Sequence, residues 1–113
     1  MSVDPVALLH AHVGRFNEAV GSGDFAEMVS GFAPDAEMVF EGVPVGPFVG
    51  REAIGEAYAR QPPGDEVRLL GVPRLDGGTV ESDYAWAAEG RRAGRMIVTP
   101  REGLIARLVV TFE

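Results

Sequence analysis

RFNEAVGSGDFAEMVSGFAPDAEMVF, residues 15–40, changes local structure three times within one short stretch. Its first residues continue an apolar periodicity that begins upstream, and Gly21-Ser22-Gly23 ends it, as glycine does just past a helix. Asp24 is placed to cap a second, short helix over FAEMVSGF. Pro34-Asp35 breaks that helix, and AEMVFEG follows with the composition of a strand. A long helix, a break, a short helix, a turn and a strand constrain what the rest of the chain must complete.

Upstream, Asp4-Pro5 reads as an N-cap with proline at the first helical position. From there Val6, Leu9, Val13, Phe16 and Val20 recur at steps of three and four, one stripe of an amphipathic helix. Downstream, VPVGPFVG (43–50) is punctuated by proline and glycine and is expected to bend and to hold one short strand. Gly50 leads into REAIGEAYARQ, a third helix with Ala53, Ile54, Ala57 and Tyr58 on one side, stopped by Pro62-Pro63-Gly64. The remainder reads as a meander. EVRLLGVPRL comes first, then a tight turn at Asp76-Gly77-Gly78 and TVESDYAWAAEG. A turn near Arg91-Arg92, AGRMIVT, a turn from Pro100 to Gly103, and LIARLVVTFE complete it. Helices first and strands after give an α+β class, with the apolar stripe of the first helix buried against the sheet.

A chain of 113 residues is expected to form a single domain spanning 1–113, and its 46% hydrophobic content suffices for a core without metal or disulfide. The net charge of −7 opposes a nucleic-acid surface, which needs a basic patch, and equally an anionic membrane. Cysteine is absent, so thiolate chemistry and Cys-based zinc sites are excluded. His10 and His12, two apart on a helix, do not face each other, which speaks against a His metal site. No apolar run reaches the length of a membrane span, and MSVDPVALLHAHVGR lacks the basic start and cleavage site of a signal peptide. A cytoplasmic protein without a metal or organic cofactor is the expectation.

Three stretches carry a resemblance. RFNEAVGSGDFAEMVSGFAPDAEMVF (15–40), FVGREAIGEAYA (48–59) and GLIARLVVTFE (103–113) resemble the opening, the step into the third helix and the last strand of the nuclear transport factor 2-like superfamily. That superfamily includes the SnoaL-like polyketide cyclases and the ketosteroid isomerases. The resemblance implies a cone-shaped, curved, mostly antiparallel sheet with three N-terminal helices, and a homodimer through the open sheet face. It implies activity less directly, because one fold hosts many chemistries. Ketosteroid isomerase uses an Asp base with a Tyr and a protonated Asp as oxyanion donors. The similarity places the Tyr position on Phe16, the base on Phe40 or Glu41, and the second donor near Arg95 or Met96. That constellation is not preserved here.

The candidate residues follow from both readings. Glu41 closes the strand MVFE; a carboxylate set among apolar groups works as a general base near neutral pH, whereas in a solvated turn it does not. His12 lies one turn before Phe16 and either points inward as an alternative base or acid, or faces water. Tyr84 and Trp86 share a strand face and are cavity walls or core. Asp83 and Arg95, on neighbouring strands, form a pair if their face turns inward. Phe16, Phe40, Tyr58 and Arg95 complete the expected binding residues. The leading function is a cofactor-independent acid–base enzyme, an isomerase or cyclase acting on a small apolar metabolite. The alternative is a non-catalytic small-molecule-binding or protein-interaction domain.

Overall fold

The computed structural model describes residues 4–113. Helix α1 (Pro5–Ser22) starts where Asp4 accepts a hydrogen bond from the Val6 amide, and the chain leaves it at Gly23 in the left-handed region. Helix α2 (Ala26–Ser30) follows, its first amide held by the Asp24 carboxylate at 3.0 Å. Strand β1 (Phe32–Glu41), the short β2 (Phe48–Val49) and helix α3 (Arg51–Arg60) come next. The meander β3 (Val67–Asp76), β4 (Thr79–Trp86), β5 (Arg92–Arg101) and β6 (Leu104–Thr111) completes the chain. The six strands form one sheet in the order β2-β1-β6-β5-β4-β3. All neighbours are antiparallel except β1 and β6, which the intervening helices and meander bring together in parallel.

The strands continue through three prolines, and each sits where the ladder slips. Four residues of β1, Ala33 to Ala36, stand against the single Ala106 of β6, and Pro34 lies among them. Gly71-Val72-Pro73 of β3 stands against Ser82 alone, and the β5–β6 register shifts between Thr99 and Pro100. A bulge needs no ladder amide at its extra residues, so Pro34 and Pro73 are tolerated there, while Pro100 pairs with Ile105 beside the bulge that Ala106 makes in β6; each bulge bends its strand. The turns expected at Pro34-Asp35 and from Pro100 are therefore corrected: Pro34 and Asp35 lie within β1, and the β5–β6 turn is confined to Glu102-Gly103. The turn expected near Arg91-Arg92 falls earlier, over 87–90, and Arg92 already belongs to β5.

The helices cover one face of the curved, unclosed sheet. Leu9, Val13 and Phe16 of α1 are buried against it, with Leu8, His12 and Ala19 beside them, while Val6 and Val20 pack at the margin. The side chain of Asn17 ties α1 to the free edge of β3, accepting from the Val67 amide at 2.8 Å and donating to its carbonyl at 2.9 Å. Phe32, Met38, Val80, Tyr84, Val98, Ile105 and Leu108 fill the space beneath. At the far end Tyr84 pairs with Gly94 and donates its hydroxyl to the Thr111 carbonyl at 2.8 Å. A Cβ on Gly94 would lie 1.9 Å from that same oxygen, so the crossing admits no side chain there.

The opposite face is a charged lattice around a short apolar strip of Val39, Val109 and Ile97, which the register sets side by side. Asp83 and Arg95 face each other in the ladder, yet each pairs elsewhere. Asp83 meets Arg74 and Arg92 at 3.3 and 3.4 Å, and Arg95 meets Glu113 and Glu81 at 3.4 and 3.6 Å. The face does not turn inward, and such partly exposed pairs contribute little each. No helix among the described residues is long and apolar enough to cross a membrane.

Candidate functional site

Open space lies at the β1–β2 edge, under α3. A cavity of about 410 Å³ is lined by Met38 and Phe40 of β1, Val43 and Val45 of the connecting loop, Phe48 of β2, Phe112, and one side of α3. Its aromatic wall is a cluster. Phe40 stands edge-on to Phe48 at 6.2 Å between ring centroids and tilted to Phe112 at 5.9 Å. Helix α3 adds Ala53, Ala57 and Tyr58 to the wall, and Glu56, Arg60 and Gln61 at its last turns. Small residues on α3 leave the space that the aromatics face.

Long-range contacts hold this wall. The Phe112 amide donates to the Glu41 carbonyl at 2.8 Å, continuing the β1–β6 pairing past the last regular strand residue. Gly42, at φ 96°, lets the loop pass Phe112: a Cβ there would lie 2.4 Å from the Phe112 carbonyl oxygen. The residues either side of Phe112 are also fixed. The Thr111 hydroxyl accepts from the Arg95 amide at 2.8 Å and donates to Glu113 at 2.6 Å, and Arg92 reaches Glu113 at 3.0 Å. The Thr111 hydroxyl and these cations hold the Glu113 carboxyl down to about 2.

The expected site residues are dispersed over the molecule. Phe40 and Tyr58 are on the cavity. Tyr58 is buried; it donates weakly to the Met38 sulfur at 3.6 Å, stacks on Phe25 at 5.1 Å, and burial pushes its hydroxyl well above the usual phenol range. Phe16 is core, edge-on to Tyr58 at 6.4 Å. Tyr84 is sealed, its hydroxyl spent on Thr111 and raised to about 12 by burial and then by the Glu113 charge; Trp86 packs edge-on against it. Arg95 belongs to the charged lattice on the other face.

The two proposed acid–base groups stand outside the cavity lining. Glu41 is exposed at the end of β1, beyond Phe40. His12 is buried edge-on to Phe32 at 5.5 Å, and burial, then the Arg15 charge, lowers it to about 4. It is a neutral core histidine around pH 7. Among the described residues no group of three or more His, Cys, Asp or Glu is gathered as a metal would need.

A family model described as the SnoaL-like domain matches residues 13–113. The chain belongs to that family. Solved structures agree in fold. An Agrobacterium tumefaciens protein called "a putative isomerase of the SnoaL-like family" superposes with a TM-score of 0.69 at 19% identity, covering 96% of this chain and 97% of that one. A Xanthomonas campestris "putative polyketide cyclase" does so at 0.67 and 20% identity, covering 97% and 93%. A Burkholderia xenovorans NTF-2 like protein of unknown function reaches 0.69 at 16% identity, covering 96% and 85%. At these identities the likeness is one of fold. No curated protein matches the sequence.

In this SnoaL-like domain the middle of the sheet is filled by side chains, and this space lies at an edge whose wall sequence reasoning names only in part, through Phe40 and Tyr58. Phe48, Ala53 and Ala57 lay within stretches read for secondary structure. Phe112 lay at the end of the last strand, and nothing local says that it returns to Phe40. The parallel β1–β6 pairing is what brings it there. The apolar floor and one polar margin suit the enclosure of a small apolar body, since pockets that bind such ligands run to roughly 300–1,000 Å³.

Proposed function

We propose that this SnoaL-like domain binds a small, mostly apolar molecule in the cavity between α3, the end of β1 and the loop before β2. One observation carries the reading: an aromatic cluster, Phe40, Phe48 and Phe112, faces open space instead of packing shut. Apolar surface left open around a concavity is the usual mark of a binding site. The test is titration calorimetry with 1-naphthol, a neutral bicyclic probe, against the wild type and Ala57→Trp. The larger ring enters the cavity from α3, so the variant is expected to fold and to lose at least about tenfold in affinity. Equal binding by both proteins would place the probe elsewhere.

A proton-transfer step of isomerase or cyclase type on the bound molecule is the second reading. It is favoured by the position of Glu41, which directly follows the wall residue Phe40 and whose carbonyl holds Phe112. Glu41 would then be the base and His12 the alternative. Loss of a positioned general base costs ~10²–10⁴ in rate, so a turned-over substrate whose rate survives both Glu41→Gln and His12→Ala rules this step out. For assembly we propose a homodimer through the open sheet face, where Val39, Ile97 and Val109 form the apolar strip. Light scattering that reports a monomer throughout the micromolar range would remove it.

A further inference from the structure

Among the described residues, the polar side chains on the cavity come from the last turns of α3 and from Gln61 just after it, and this decides which kind of molecule fits. The sheet and loop supply Met38, Phe40, Val43, Val45, Phe48 and Phe112, all apolar, and the deeper Tyr58 hydroxyl is already turned to the Met38 sulfur. Glu56, Arg60 and Gln61 stand together at one margin, all exposed. Among the described residues neither Glu56 nor Arg60 enters an ion pair. The margin thus offers one acceptor anion, one donor cation and one amide. The C-terminal end of α3 carries partial negative charge that offsets part of Arg60.

Building on the binding reading above, we infer that the ligand is a one-ended amphiphile with an uncharged, hydrogen-bonding head, of the alcohol or carboxamide class. Its apolar body lies on the phenylalanine cluster and its head sits between Glu56 and Arg60. A hydroxyl donates to the Glu56 carboxylate and accepts from Arg60, satisfying both charged groups at once. A carboxylate head gains Arg60 but meets Glu56, and an ammonium head gains Glu56 but meets Arg60. Either charged head also gives up stronger hydration than the neutral head has.

Three chain-matched probes separate these cases: decanol, decanoate and decylamine, titrated at pH 7 by calorimetry with amide NMR to locate each. On the wild type decanol is expected to bind most tightly and to perturb Ala53, Ala57 and Phe112. Glu56→Gln is expected to strengthen decanoate about two- to fivefold, and Arg60→Gln to strengthen decylamine by the same factor, the range of a partly exposed charge interaction. Both side chains are exposed, so the variants keep the fold, which circular dichroism checks. Tightest wild-type binding by decanoate or decylamine overturns the inference alone, as do variants that leave the affinities for decanoate and decylamine unchanged. No binding by any probe overturns the cavity reading itself, and the inference with it.

Discussion

Phe32 and Phe40 lie on the same strand and meet opposite surroundings. Phe32 is sealed under α1, with His12 edge-on to it and α3 anchored nearby by the Arg51 side chain, which donates twice to the Phe32 carbonyl at 3.1 and 2.5 Å. Phe40 is partly exposed, shares its cluster with Phe48 and Phe112, and borders a cavity of about 410 Å³. The difference lies in what covers each end of β1. Over Phe32, α1 brings the ring of His12. Over Phe40, α3 brings Ala53 and Ala57. Side chains of similar hydrophobicity make a core in one place and a site in the other because of the size of their neighbours.

The sharpest way to break this contrast is to truncate both ends. Phe32→Ala empties a sealed position and is expected to cost about 3–5 kcal/mol in urea unfolding. Phe48→Ala, at the cavity, removes a ring already partly exposed and is expected to cost about 1 kcal/mol. Equal costs would mean that the two ends are packed alike.

The titration of His12 sharpens the comparison from the sealed side. Its folded pKa is about 4 against an ordinary 6.5, with burial the main cause and Arg15 the second. Above pH 6.5 both folded and unfolded forms are neutral and stability is full. As pH falls below 6.5 the unfolded chain takes up a proton that the folded one refuses. Stability therefore declines until about pH 4, by roughly 3 kcal/mol in total. His12→Leu is expected to flatten that window. Glu113, held low, contributes in the range below, losing its share only as pH falls from the ordinary 4.5 toward 2. A wild-type protein equally stable at pH 7 and pH 4.5 would show His12 to be hydrated.

A smaller effect is expected where the meander meets the end of β6. Tyr84→Phe leaves the buried Thr111 carbonyl without its donor and is expected to cost about 1–2 kcal/mol. Because Thr111 precedes Phe112, the same variant is also expected to raise hydrogen exchange at residues 42–48. Least of all, Glu81→Gln in the exposed lattice is expected to leave the urea midpoint within its scatter.

Much of the fold was legible because its signals are local. The Asp4-Pro5 start, the Gly23 exit, the Asp24 cap and the Gly77-Gly78 hairpin are all written within a few residues of where they act. The misread points share one cause. Pro34 and Pro100 read locally as boundaries, but a strand accepts proline in or beside a bulge without ending, and bulges depend on the partner strand's count of residues. The site was less legible for a related reason. Phe40 and Tyr58 could be placed by pattern and resemblance, while Phe112 depends on a pairing across seventy residues of chain. Glu41 stands out by its place beside the family's base position and His12 by chemical type, and neither signal says whether a group faces water, core or cavity.

Methyl NMR during a 1-naphthol titration tests most directly the claim that the usable space lies at the β1–β2 edge. Shifts are predicted at the methyls of Val43, Val45, Ala53 and Ala57, with Leu9, Val80 and Val98 in the filled centre unmoved. Shifts at Leu9, Val80 and Val98, or none anywhere at saturating probe, would contradict it.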